Sequence, residues 1–230
     1  MLSRFYQEQG EHVVITREQG SLFAKQVADD FNPLHDVDAK KFCVPGDLLF
    51  SLVLARYGVS ENMNFSFVGM VDESSLLSFP QGSDAFDITS NNKVMMSVKR
   101  EGEANLCPAL IDSLTKNYVE FSGTAFPHVI IPLMAEQGVM INPARPMVIY
   151  ESMAIHLDDK SISQVELAAD TPGFSYEGKR GKIILRFKLL SNGQQVGRGE
   201  KHMLVSGIRE YCQDMVDDLI TYYNNRKATL

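Results

Sequence analysis

The stretch Ala28-Asp29-Asp30-Phe31-Asn32-Pro33-Leu34-His35 sets a carboxylate and an imidazole five residues apart across an Asn-Pro turn. Such a turn reverses the chain, so Asp30 and His35 can converge on one small volume. A converged Asp and His can hold a single water, one accepting its proton and the other orienting it. Ten residues further on, Pro45-Gly46-Asp47-Leu48-Leu49 opens a strongly apolar segment. Proline in a first helical turn costs no hydrogen bond, and the N–H groups of that turn point out of the helix end toward the same region. Gly46, without a side chain, lets a ligand oxygen approach those groups closely. This is the chemistry of a clamp for a carbonyl oxygen that becomes negative during reaction. The competing reading is purely structural, because Asp and Asn also cap turns locally.

The elements around this stretch must hold it in place. A short strand is expected at His12 to Ile15. A helix should then begin at Thr16, with Gln19 completing a capping box and Leu22, Phe23, Val27 and Phe31 forming its buried face. Asn32-Pro33 should stop it. The next helix, 44–57, carries Leu48, Leu49, Phe50, Leu52, Val53 and Leu54, is apolar almost all round and must be buried on most sides. Strand-like segments follow at about 63–71, 75–79, 84–89 and 92–100. The pattern then repeats: a helix from Pro108 to Phe121, an apolar helix over 127–137 that Pro132 should kink or restart, strands at about 146–157, 164–170, 181–190 and 194–205, and a last helix over 207–225.

One buried helix followed by a meander of antiparallel strands has a simple solution: the sheet curls around the helix. That is the hotdog arrangement. Its repetition predicts an α+β double hotdog, two antiparallel sheets each wrapped around a central helix and joined into one continuous sheet. No Pro- or Gly-rich linker divides the halves, so they should form one rigid body; its expected units are 1–105, bearing the motif, and 106–230, without an active site.

Composition narrows the class. The 230 residues are 44% hydrophobic and 22% charged, ordinary globular usage that excludes disordered and fibrous readings. A net charge of −7 argues against nucleic acid or an anionic membrane as partners. Three widely spaced cysteines, Cys43, Cys107 and Cys212, form neither a disulfide framework nor a zinc site and fit a reducing cytoplasm. The N-terminal residues lack the apolar core of a signal peptide. A cytoplasmic protein, a monomer or homodimer without metal or cofactor, is the expectation.

Asp30-x-Asn32-Pro33-Leu34-His35 resembles the core signature of the MaoC-like (R)-specific enoyl-CoA hydratases, which are hotdog proteins. The likeness covers residues 20–58. It implies an Asp/His pair activating the water that adds to a trans-2-enoyl thioester, carried by coenzyme A or acyl carrier protein. By that likeness Asp30 and His35 are the catalytic pair, Asn32 organises the turn and site, and Gly46 donates the oxyanion contact. Pro33, Leu34, Pro45, Asp47 and Leu49 are the expected substrate-binding neighbours.

The departures are Ala28-Asp29 where the family has Ser-Gly, and Pro45-Gly46-Asp47 where it has His-Gly-Met. Asp47 adds a negative charge near an oxyanion site. The stretch from Asp30 to Tyr57 is also similar to a group of bacterial hotdog proteins without an assigned reaction. The alternative is therefore a non-catalytic acyl-thioester-binding or protein-interaction hotdog protein. In the second half Phe126-Pro127-His128 occupies the equivalent region and the motif is missing.

Other signals have bland readings. Cys43 precedes a helix start, yet nothing around it reads as a thiol enzyme. Gly173-x4-Gly178-Lys179 lacks the Ser or Thr of a phosphate loop and lies between strands. Ser113-x-x-Lys116 has no companion motif. Lys179, Arg180 and Lys182 fit a solvated hairpin turn.

Overall fold

A computed structural model describes residues 2–144, 147–159 and 161–228. In chain order the elements are β1 (Gln7–Gln9), β2 (His12–Val14), α1 (Arg17–Gln26), α2 (Gly46–Tyr57), β3 (Asn62–Phe67), β4 (Leu77–Ser78), β5 (Ala85–Ser90) and β6 (Lys93–Glu101). There follow α3 (Pro108–Gly123), α4 (Ile131–Ala135), β7 (Val139–Met140), β8 (Met147–Leu157), β9 (Glu166–Ala169), β10 (Gly173–Glu177), β11 (Arg180–Ser191), β12 (Gln194–Ser206), β13 (Arg209–Glu210) and α5 (Gln213–Ala228).

One antiparallel sheet runs β1-β2-β4-β5-β6-β3-β8-β12-β11-β10, with β9 also on β11. Its seam is the pairing of β3 with β8, where Asn62 faces His156 and Ser66 faces Ser152. Residues before 105 therefore meet residues after 146 through main-chain hydrogen bonds. The sheet bends over α2, whose Leu48, Phe50, Val53 and Leu54 are fully buried. Each such side chain stabilises the fold by roughly 1.5–3 kcal/mol. The Phe50 ring meets Phe65 of β3 edge-on at 5.1 Å and Tyr118 of α3 at 4.7 Å. An antiparallel sheet wrapped around buried helices makes this an α+β protein of hotdog architecture.

Local sequence explains the elements. Thr16 caps α1 and Gln19 answers it, so the capping box forms as expected. The helix ends at Gln26, earlier than its apolar face suggested. The chain leaves it through Asp29, which adopts a left-handed φ of 53°, and the Asp30 N–H bonds the Ala24 carbonyl. Asp tolerates that conformation better than most residues.

The expected helix over 127–137 also differs. Pro127 and Pro132 break it into a π turn, Phe126–Ile130, and the short α4. The helix lying beside α2 is α3. Ile130, Ile131 and Met134 instead belong to a second core cluster with β11, β12 and Val216 of α5. The larger cluster draws on both sides of residue 105, from Phe5 to Leu189. Lys179 sits in the exposed β10–β11 hairpin turn and Arg180 begins β11 beside it.

Candidate functional site

The motif lies on the connection between α1 and α2. Asp30 Oδ1 accepts the Asn32 N–H at 2.9 Å, and Asn32 Oδ1 accepts the Leu34 N–H at 3.1 Å. These two bonds fold Pro33–His35 into a single 3₁₀ turn with Asn32 as its cap. The turn brings His35 back toward Asp30, leaving Asp30 Oδ2 3.6 Å from His35 Nε2. That distance is too long for a direct hydrogen bond, and short enough for both atoms to touch one water.

The other imidazole nitrogen fixes the tautomer. His35 Nδ1 lies 2.6 Å from the Cys43 carbonyl oxygen. A carbonyl only accepts, so Nδ1 carries the proton and donates. In the neutral ring Nε2 then holds a lone pair facing Asp30. The same segment is held twice more: the Cys43 N–H bonds the Leu34 carbonyl and the Val44 N–H bonds the Val71 carbonyl, at 2.9 and 2.8 Å. Burial pushes the Cys43 thiol up to about 11, which suits a structural cysteine.

Gly46 begins α2, and the N–H groups of a first turn have no partner inside their own helix. A Cβ at this position would meet the rings of Tyr150 and Phe67 at 2.9 and 3.0 Å. Those rings stack on each other with centroids 4.0 Å apart. Ring packing alone therefore requires glycine here. Pro45 and Leu49 are buried, Leu49 in the main core, and Pro33 and Leu34 are half-buried.

Asp47 does not face solvent. Its Oδ2 accepts the Ser122 hydroxyl at 2.5 Å and lies 3.7 Å from Lys201 Nζ on β12. Lys201 also bonds Ser122 and sits 3.9 Å from the centre of the Tyr150 ring. Asp47 and Lys201 are each 5% exposed. Burial pushes the Asp47 carboxyl up, while Lys201, Ser122 and His35 pull it down and Asp30 pushes it further up. The negative charge that seemed an obstacle at the helix start is thus matched by a cation from the far half. Tyr118 and Tyr150 share a short hydroxyl–hydroxyl contact behind it, and burial raises both phenols well above their ordinary range.

Elements after residue 105 also brace the motif loop. A Cβ on Gly123 would fall 1.8 Å from the Ala28 carbonyl oxygen, so the end of α3 touches the loop backbone directly. From α5, Tyr223 donates to the Asp29 carbonyl at 3.1 Å, Lys227 pairs with Asp29, and Arg226 reaches Asp36 at 2.6 Å. Lys25 completes the Asp36 pairing at 2.7 Å. Phe31 meets the Tyr223 ring edge-on at 5.6 Å.

Sequence reasoning did not select Ser122, Lys201, Tyr150 or Tyr223. Two of them carried a readable signal. Lys201 shares the alternate-residue face of Met203 and Val205, and Ser122 continues the Leu110, Leu114, Tyr118 stripe of α3. Among the described residues no cluster of His, Cys, Asp and Glu is arranged to hold a metal ion. No helix of these residues is long and apolar enough to cross a membrane.

The chain belongs to the family described as "Protein of unknown function (DUF3581)", which matches residues 1–214. No curated protein sequence matches it. Among solved structures it is similar to acyl-CoA thioesterase II TesB2 from Mycobacterium marinum, with 13% identity, 72% of this chain and 89% of that one covered, and a TM-score of 0.39. It is also similar to a tesB protein of Mycobacterium avium subs paratuberculosis, with 11% identity, 89% and 97% covered, and a TM-score of 0.45. A third is a conserved hot dog fold protein from Alicyclobacillus acidocaldarius, with 6% identity, 87% and 95% covered, and a TM-score of 0.43. The hotdog architecture follows from this chain's own strand order and helices.

Proposed function

We propose that this protein is an acyl-thioester hydratase/dehydratase, with Asp30 and His35 as the pair that handles water. The observation that supports it is the 3.6 Å gap between Asp30 Oδ2 and His35 Nε2, each facing the other while its remaining polar atom is already engaged. A water in that gap gives one proton to His35 Nε2 as its oxygen bonds to the β-carbon of a trans-2-enoyl thioester. Asp30 Oδ2 accepts the water's other O–H and balances the imidazolium. The imidazolium then returns its proton to the α-carbon. One O–H bond and the π bond between the α- and β-carbons break, one C–O and one C–H bond form, and both side chains end as they began.

In this reading the first turn of α2, from Gly46, receives the thioester oxygen as it gains negative charge. Asn32 holds the turn, and Pro33, Leu34, Pro45, Asp47 and Leu49 shape the surroundings. The carrier is coenzyme A or acyl carrier protein. Residues 1–105 form the unit with the site and 106–230 the unit without one.

The test is an absorbance assay with crotonyl-CoA and longer trans-2-enoyl-CoAs, read alongside release of free thiol. Loss of the enoyl absorbance without thiol release, abolished in Asp30→Asn and His35→Ala, is the expected result. Thiol release would mean hydrolysis and overturn the hydratase reading. Binding without turnover across the panel would leave a thioester-binding protein, and no binding a protein-interaction role.

A further inference from the structure

Asp47, Ser122 and Lys201 form a buried polar cluster whose charges the proposed reaction leaves without a role. It spans the molecule: Asp47 comes from the first turn of α2, Ser122 from the last turn of α3 and Lys201 from the middle of β12. Ser122 donates to Asp47 Oδ2 and receives from Lys201, so two groups from beyond residue 105 hold one carboxylate oxygen. Asp47 Oδ1 is buried and has no hydrogen-bond partner among the described residues. A buried carboxylate oxygen without a donor is costly, and cores rarely keep one for stability alone.

The cluster also adjoins the motif at two places. Gly123, next to Ser122, presses on the Ala28 carbonyl two residues before Asp30. Asp47 follows Gly46, and the segment leading into it carries the Cys43 carbonyl that holds His35 Nδ1.

We propose that Asp47, held by Ser122 and Lys201, is a positioning residue for the Asp30–His35 pair, so that the half without an acid–base pair completes the site of the half that has one. This rests on the reading of Asp30 and His35 as the reacting pair. When ionised, Asp47 supplies a negative charge that favours the imidazolium formed when His35 takes the water proton. Lys201 keeps that charge in place inside the core, and Ser122 sets its orientation. His35 is held by the Cys43 carbonyl and faces Asp30 of its own loop, while the charges that act on Asp47 of α2 are Lys201 of β12, Asp30 and His35. Asp36 follows in sequence, paired with Lys25 of α1 and Arg226 of α5, and Tyr223 of α5 lies beside Asp30.

The test is the titration of the His35 ring in ligand-free protein, followed by NMR in wild type, Asp47→Asn, Ser122→Ala and the double variant Asp47→Asn/Lys201→Met. Loss of the Asp47 charge should lower the His35 midpoint by about half a pH unit or more, because an anion favouring the protonated ring is gone. The direction is the same whether Lys201 stays charged or loses its proton. The double variant leaves no unpaired buried charge and keeps the test usable if the single one unfolds. Ser122→Ala, which keeps both charges, should shift the midpoint less. An unchanged midpoint in folded Asp47→Asn or in the folded double variant overturns the proposal. Because no substrate is present, the two failures are distinguishable: a shift without hydration of any enoyl-CoA would overturn the hydratase reading while the coupling of Asp47 to His35 holds, and hydration without the shift would overturn the positioning role.

Discussion

Residues 28–49 and residues 121–137 occupy comparable places, each leading into or forming the apolar helical segment of its half, and they differ in what their polar atoms do. In the first, Asp30, Asn32 and His35 each have one polar atom pinned by a neighbour, and Asp30 Oδ2 and His35 Nε2 are left facing each other. In the second, Phe126, Pro127, Ile130, Ile131 and Met134 fill space, while His128 is exposed on a cleft of about 240 Å³ lined by Phe121, Leu133 and Leu185. One sheet supports both. The sheet therefore does not require a facing polar pair of this kind, and the elements after residue 105 serve as core and brace. That is what α3, β12 and α5 do, reaching the motif loop through Gly123, Lys201, Tyr223 and Arg226.

The widest separation between the regions should appear in paired variants. Asp30→Asn and His35→Ala are expected to reduce hydration by about 10²–10⁴-fold, the range for lost acid–base chemistry, with midpoints of thermal unfolding close to wild type. Met134→Ala, at a fully buried position, should do the reverse. It should cost about 2–5 kcal/mol of stability and leave turnover per folded molecule unchanged. Denaturant unfolding and the absorbance assay on the same samples check both. Equal losses of activity and stability in either variant would break the division of labour.

Gly123→Ala probes the brace itself. Its new Cβ would overlap the Ala28 carbonyl oxygen, and since that atom is backbone the loop or the helix end must move. A loss of about 1–3 kcal/mol, together with reduced turnover, is expected. A Gly123→Ala protein with wild-type activity would separate α3 from the site.

Asp47 yields a pH dependence. Its folded carboxyl is raised, chiefly by burial, so the unfolded chain gives up this proton first as pH rises. The group therefore favours folding most below the ordinary aspartate range, and that contribution falls as pH climbs toward the raised value. Relative to wild type, Asp47→Asn/Lys201→Met should show a flatter stability profile over this window, measured by urea unfolding at several pH values. The smallest effect is expected at the α5 contact. Arg226→Ala removes the more exposed of two cations on the buried Asp36 and leaves Lys25 in place, so it should cost about 1 kcal/mol, with faster hydrogen exchange at the end of α5.

Much of the fold was legible because it rests on local chemistry. The Thr16–Gln19 capping box, the all-round apolar α2 and the alternating β11 and β12 each announce themselves within a few residues. The helix expected over 127–137 was harder. Two prolines within six residues compete with an apolar pattern that fits a helix equally well, and the pattern does not say which helix will lie against α2. At the site, the approach of Asp30 to His35 follows from a five-residue turn. The cluster of Asp47, Ser122 and Lys201 depends on contacts across more than seventy residues of sequence. Burial of Ser122 and Lys201 could be inferred from their spacing, but their meeting at Asp47 follows only from how α3 and β12 sit against α2.

The proposed reaction needs one site per chain, built from Asp30 to Leu49 and braced by the rest of the molecule. In calorimetric titration with a non-reacting enoyl-CoA analogue, about one site per chain is expected, with binding weakened or lost in His35→Ala and retained in His128→Ala. Two equivalent sites per chain, or binding that depends on His128 and not on His35, would contradict it.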